Sequence, residues 1–141
     1  MPGNEIFAPF FGMLLLTFAV WVVMYVRRLR YIASNQIDPQ RLTTPEKGAA
    51  VIPEQIHRPA YNFRNLFELP VAFYAVCLYL FVAGTVDSVY VTSAWLFLAL
   101  RVVHSLIHCT VNIVKLRFVS YMLGALVLWF MVLRAAVNYF S

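Results

Sequence analysis

The sequence predicts an all-α membrane protein, an antiparallel bundle of four transmembrane helices, and three observations predict it. Of the 141 residues, 62% are hydrophobic and only 12% are charged, more apolar surface than a soluble fold can bury. The apolar residues gather into four runs, each close to the ~20 residues that cross a bilayer. Basic charge gathers in one place: seven of the eleven basic residues, Arg27, Arg28, Arg30, Arg41, Lys47, Arg58 and Arg64, lie in one segment. The net charge of +5 is thus a signal of membrane orientation rather than of nucleic-acid binding, and the positive-inside rule places that segment in the cytoplasm. The length allows a single domain.

Span one covers residues 7–26, with Pro9 and Gly12 in its first turns, where a helix tolerates them best. No basic residue precedes this run and no small-residue cleavage site follows it, so it reads as a retained span and not a signal peptide. Arg27-Arg28-Leu29-Arg30 ends it, with side chains long enough to reach lipid head groups or, for the innermost, the bundle. Residues 27–61 make the one long loop. Pro39, Pro45, Gly48, Pro53 and Pro59 leave no long helix there, although Thr44-Pro45-Glu46 starts a short one with Thr44 as its cap.

Span two covers residues 62–86, with Pro70 marking a kink or an early turn. Gly84-Thr85-Val86-Asp87-Ser88 is so short that spans two and three must be antiparallel neighbours. Span three covers residues 89–114, and Lys115-Leu116-Arg117 makes a second tight connection on the basic side. Span four covers residues 118–137. Gly124 and Ala125 admit close packing there, and Arg134 and Tyr139 suit the far interface. Cys77 and Cys109 lie within spans and need not pair. Four spans return the C-terminus to the non-cytoplasmic side, where the N-terminus also lies; a bacterial inner membrane is the expected location.

Polar residues inside the spans carry the functional signal. Arg101, His104, His108 and Asn112, spaced three, four and four, share one helical face of span three. An arginine near the centre of a span costs roughly 3 kcal/mol on insertion scales, so it should face the bundle interior with a partner. Span two offers Tyr61, Asn65 and Glu68 on one face, and Arg117 and Tyr121 stand one turn apart in span four. The groups concentrate toward the basic end and carry a positive excess: Arg101, Arg117 and Arg28 against Glu68. Such a pocket fits an anionic ligand with carboxylates and an amine, the arginines forking onto carboxylates and Glu68 meeting an ammonium. Glutathione has that inventory and a thiol besides, and a guanidinium beside a thiol favours the reactive thiolate.

Asn65-Leu-Phe-Glu68-Leu-Pro70 resembles the second-helix motif of the MAPEG family, the membrane-associated proteins of eicosanoid and glutathione metabolism. Arg101-Val-Val-His104-Ser-Leu-Ile-His108 resembles its third-helix motif, and Arg117 with Tyr121 the start of its fourth helix. The resemblance spans residues 58–128 in motif and the whole chain in span order. It implies a homotrimer whose glutathione sites lie between subunits, toward the cytoplasmic side. It implies Asn65, Glu68, Arg101, His104 and His108 as glutathione contacts, with Arg28 or Arg27 as the first-helix arginine that reaches the site. It implies Arg117 as the group holding the thiolate, with Tyr121 beside it as a hydrogen-bond donor, and lipophilic electrophiles or lipid hydroperoxides entering from the bilayer. The sequence departs from the family where His108 stands in place of a frequent tyrosine. Tyr61 replaces an arginine of many eukaryotic members, and Phe118 the serine of microsomal prostaglandin E synthase. These departures argue against prostaglandin synthesis, and the compact connections resemble the bacterial branch.

Two readings of other classes stand beside this one. A non-catalytic scaffold or lipid-binding protein would use Glu68 and Arg101 as a structural ion pair. A proton-coupled transporter would need a polar path on both sides of Arg101, and the outer halves of the spans are apolar. No metal is expected: His104 and His108 stand four apart, as helical metal pairs do, but a single distant carboxylate completes a poor ligand set.

Overall fold

A computed structural model describes residues 3–141. Among the described residues there are six α-helices, and five of them supply four segments long and apolar enough to cross a membrane: Asn4–Ser34, Glu54–Val82, Ser88–Cys109 and Val114–Phe140. The chain is an integral, multi-pass helical bundle.

Helix α1 (Phe7–Ser34) follows a single 3-10 turn. The turn and the helix together bury Ile6, Pro9, Met13 and Val20, at spacings of three, four and seven, as one inward stripe. The helix does not end at Val26. Arg27, Arg28 and Arg30 continue it, because arginine is a good helix former and its charge ends the apolar stretch rather than the backbone hydrogen bonding. The segment 27–61 is accordingly more helical than its prolines imply. Thr44 caps α2 (Pro45–Val51), its hydroxyl accepting from Lys47 N at 3.3 Å. Helix α3 (Glu54–Asn65) contains Pro59 in its interior. The lost backbone hydrogen bond is offset by packing: Pro59 is buried and α3 lies along α1.

The second span is broken. Helix α3 stops at Asn65, and α4 (Leu69–Val82) begins with Pro70 in its first turn. Glu68 sits at the break with φ −97° and ψ −103°, outside the helical region. Pro70 lacks an N–H and needs a first-turn position, and that requirement fixes where the break falls. Helix α4 ends at Val82, and Gly84 turns the chain with a φ of 68°. Asp87 then caps α5 (Ser88–Cys109), accepting from Tyr90 N at 3.0 Å.

Helix α5 ends five residues earlier than Val114. Thr110 leaves helical geometry and Asn112 takes a φ of 52°, a left-handed conformation that asparagine tolerates better than most residues. Asn112 therefore lies in the turn and does not share the helical face of Arg101, His104 and His108. Helix α6 (Val114–Phe140) starts four residues before Phe118, so Lys115, Leu116 and Arg117 belong to its first turn, and residues 110–113 make the connection.

Helix α5 is the centre of the bundle. It packs most extensively on α6 and also touches α1 and α3. Phe73 and Phe97 stack with ring centroids 4.6 Å apart, and Met13, Cys77, Leu80, Ala94, Leu128 and Met131 complete a closed apolar core. Leu15, Phe18, Leu126 and Leu133 remain outward, as lipid-facing residues do.

Candidate functional site

The intramembrane polar groups meet where α3, the break before α4, α5 and the start of α6 converge. Helix α5 presents Arg101, His104 and His108 inward, only 0%, 2% and 3% exposed. The fold provides for the buried guanidinium in two ways. Because α3 stops at Asn65, the Asn65 carbonyl is met along the chain only by a turn N–H, from Glu68 at 3.4 Å, and it lies at the negative end of the helix dipole. Arg101 Nη2 donates to the Asn65 main-chain oxygen at 3.1 Å, and its guanidinium lies 5.7 Å from the centre of the Tyr121 ring. Arg101 Nε and Nη1 are buried without a partner.

Tyr121 connects this group to the break. Its hydroxyl donates to Glu68 Oε2 at 3.4 Å. With the Asn65 side chain oriented by its surroundings, its amide nitrogen lies 3.1 and 3.0 Å from the two Glu68 carboxylate oxygens. Glu68 is exposed on the single chain. The described residues hold two ion pairs, Arg58–Glu54 and Arg134–Asp87. Glu68 and Arg101 therefore do not form the structural pair that the scaffold reading requires.

His104 Nδ1 lies 3.0 Å from the Arg117 main-chain oxygen, with Ser120 Oγ at 3.5 Å. A carbonyl only accepts, so Nδ1 carries a proton and donates, while Nε2 is buried and without a partner. The His108 ring stands edge-on to His104 at 5.5 Å, its Nδ1 likewise unpartnered. Arg117 projects from the first turn of α6, and its Nη1 donates to Asn112 Oδ1 at 2.7 Å. Asn112 Nδ2 in turn donates to Glu54 Oε1 at 3.3 Å. The left-handed turn at Asn112 thereby orients Arg117.

A cavity of about 210 Å³ opens among these groups, lined by Asn65, His104, Val114, Arg117, Phe118 and Tyr121. Glu68 and Arg101 adjoin it through Tyr121. Arg28 does not. It lines a separate basic cavity with His57, Tyr61 and Arg64. The arginine of α1 that turns into the bundle is Arg27, whose Nη1 donates to the Cys109 carbonyl at 2.9 Å. Arg58 does the same for Thr110, so two arginines cap the C-terminus of α5.

The MAPEG family pattern matches residues 6–137, nearly the whole chain, in the same span order as the polar cluster just described. The chain belongs to the MAPEG family. Membership places it among membrane proteins of glutathione-dependent transferase, peroxidase or related chemistry. Comparison with curated proteins and with solved structures gives no match.

Sequence reasoning missed Asn62. It is fully buried, accepts from Ser105 Oγ at 3.4 Å and donates to Cys109 Sγ at 3.5 Å. The α3 face that meets α5 thus runs through Asn62 and Asn65, while Tyr61 points outward. A signal was present: Asn62 precedes Asn65 by three residues, one helical turn.

Proposed function

We propose that this MAPEG member activates glutathione in the membrane and delivers it to a lipophilic electrophile or a lipid hydroperoxide. The observation that carries the reading is a positively biased polar cavity within an apolar bundle, backed by buried donors and acceptors that have no partner. His104 Nε2, whose residue lines the cavity, and Arg101 Nε and Nη1 and His108 Nδ1, buried behind it, are costly to leave unsatisfied inside a membrane, which supports a polar ligand at this place.

In this reading Arg117 holds the thiolate, oriented by Asn112, and Tyr121 donates a hydrogen bond to the sulfur or the leaving group. Asn65 and Glu68 receive the ammonium end, while Arg101, His104 and His108 meet the peptide and its carboxylates. Conjugation forms a C–S bond from the thiolate electron pair as the leaving group departs with the broken bond's electrons; the thiol proton goes to solvent. Hydroperoxide reduction consumes two glutathiones, giving a disulfide, an alcohol and water. The cavity is small and open, and Glu68 and Phe118 beside it are exposed. A tripeptide needs more wall than one chain supplies, which supports the homotrimer that the resemblance implies. The basic segment faces the cytoplasm under the positive-inside rule, with both termini opposite. Arg28 stands apart from this cavity within one chain, and a glutathione contact from it requires a neighbouring subunit.

The test is turnover by the detergent-purified protein with an activated aryl halide and with a lipid hydroperoxide. Loss of a preorganised charge contact in the transition state costs about 10²–10³ in rate, and that loss is expected for Arg117→Ala. Equal turnover by parent and Arg117→Ala would remove Arg117 from the chemistry.

A further inference from the structure

The second basic cavity, at the same end of the bundle, holds about 520 Å³ and is formed within one chain by α1, α2, α3 and the turn before α2. Arg28 and Arg64 stand on its wall with the hydroxyl-bearing Thr43 and Thr44, against the single carboxylate of Glu46. Among the described residues neither guanidinium makes an ion pair or a side-chain hydrogen bond, unlike Arg27, Arg58, Arg117 and Arg134. The floor is held in shape: His57 Nε2 donates to the Gly48 carbonyl at 3.3 Å, and Gly48 is buried close to Arg28. Two free forks beside hydroxyls match a phosphate group.

An aromatic ridge leads from the apolar part of α1 to this cavity. Phe18, Trp21, Tyr25 and Arg28 follow at spacings of three, four and three, one helical face. The three aromatic side chains are 61%, 43% and 44% exposed. Phe18 and Trp21 stack at 6.1 Å, and Trp21 and Tyr25 meet at 4.9 Å. A continuous apolar surface ending at free arginines, at the level where a span meets the head groups, fits an amphiphile.

We infer that this cavity binds the phosphate of an anionic phospholipid, with an acyl chain lying along Phe18, Trp21 and Tyr25. Within one chain the site is separate from the glutathione cavity, with no lining residue in common.

Native mass spectrometry of the full-length protein in detergent tests this, titrating phosphatidylglycerol and phosphatidylcholine of matched chains. Phosphatidylglycerol should be retained in preference. Each basic residue near an anionic head group is worth about fivefold, so Arg28→Gln/Arg64→Gln should weaken retention roughly 30-fold. Arg30→Gln/Arg41→Gln, which removes the same charge outside the cavity, should leave it unchanged. If the first double variant is not monodisperse, Arg28→Gln alone is read instead, with a loss of about fivefold. Equal loss in both double variants, or equal retention of the two lipids, overturns the site. Displacement by excess inorganic phosphate or by glutathione also overturns the lipid assignment, giving the cavity to a soluble anion.

Discussion

His104 Nδ1 and the Arg117 main-chain oxygen are 3.0 Å apart, and this contact ties the centre of α5 to the first turn of α6. Ser120 Oγ donates to the same oxygen at 3.0 Å, so the carbonyl is held twice. His104→Phe removes one donor while keeping the volume. It should destabilise the protein by about 1–3 kcal/mol and lower glutathione affinity, since the backbone that carries Arg117 is then less well fixed. Thermal unfolding in detergent beside ligand titration checks both effects; unchanged values for each would deny the tie.

Asn112 separates orientation from binding. Asn112→Gly keeps the left-handed turn, for which glycine is suited, and deletes only the amide that accepts from Arg117 Nη1. Stability should fall by no more than about 1–2 kcal/mol, because one partly buried hydrogen bond from Arg117 and one exposed hydrogen bond to Glu54 are lost. Turnover should fall through kcat more than through KM, because Arg117 is misplaced by a small distance rather than removed. A pure KM effect would instead make Asn112 a binding residue.

Asp87 and Arg134 join the turn before α5 to the far end of α6 through two contacts of 2.9 and 2.6 Å, and the Arg134 guanidinium lies 4.3 Å from the centre of the Tyr90 ring. The hydrogen bonds from Arg134 hold the Asp87 carboxyl at about 2, below its ordinary value. A lowered folded value means the contribution is complete above the ordinary carboxylate range near ~3.9 and is lost as pH falls toward 2. The difference in melting temperature between parent and Asp87→Asn should therefore be constant from neutral pH down to about 5 and shrink below that. A difference that does not change with pH would contradict the pairing.

Gly124 lies against α5, yet a Cβ there would meet Arg101 Cδ, Leu100 Cβ and Phe97 Cδ2 each at 3.9 Å, ordinary contact. Gly124→Ala should be neutral or stabilising, by up to about 1 kcal/mol from helix propensity. Gly124→Leu should cost about 1–3 kcal/mol through overpacking and should disturb Arg101. Circular-dichroism melts of the two variants separate the cases; a large loss in the alanine variant would mean closer helix contact than described.

The spans and their order were legible because apolar runs of membrane length leave few alternatives, and Pro70 announced the interruption in the second span. The boundaries were less legible. Arg27, Arg28 and Arg30 end the apolar run but not the helix, because hydropathy reports the surroundings and not the backbone. The end of α5 lies inside an apolar stretch, and only Asn112, tolerant of a left-handed φ, marked it. The cluster of Asn65, Glu68, Arg101, His104, Arg117 and Tyr121 followed from helical spacing plus antiparallel neighbours. The choice between Arg28 and Arg27 could not be made that way. Which of three adjacent arginines turns inward depends on the rotation of α1, and packing gave that role to Arg27.

The central claim is that the cavity among Asn65, His104, Arg117 and Tyr121 binds glutathione. Isothermal calorimetry of the detergent-purified protein, with Arg117→Ala and Glu68→Gln beside the parent, tests it most directly. The account predicts saturable binding by the parent, weakened in each variant by about tenfold or more, the loss of a hydrogen bond to a charged group. Absence of binding by folded, monodisperse parent protein, or equal binding by all three, would contradict it.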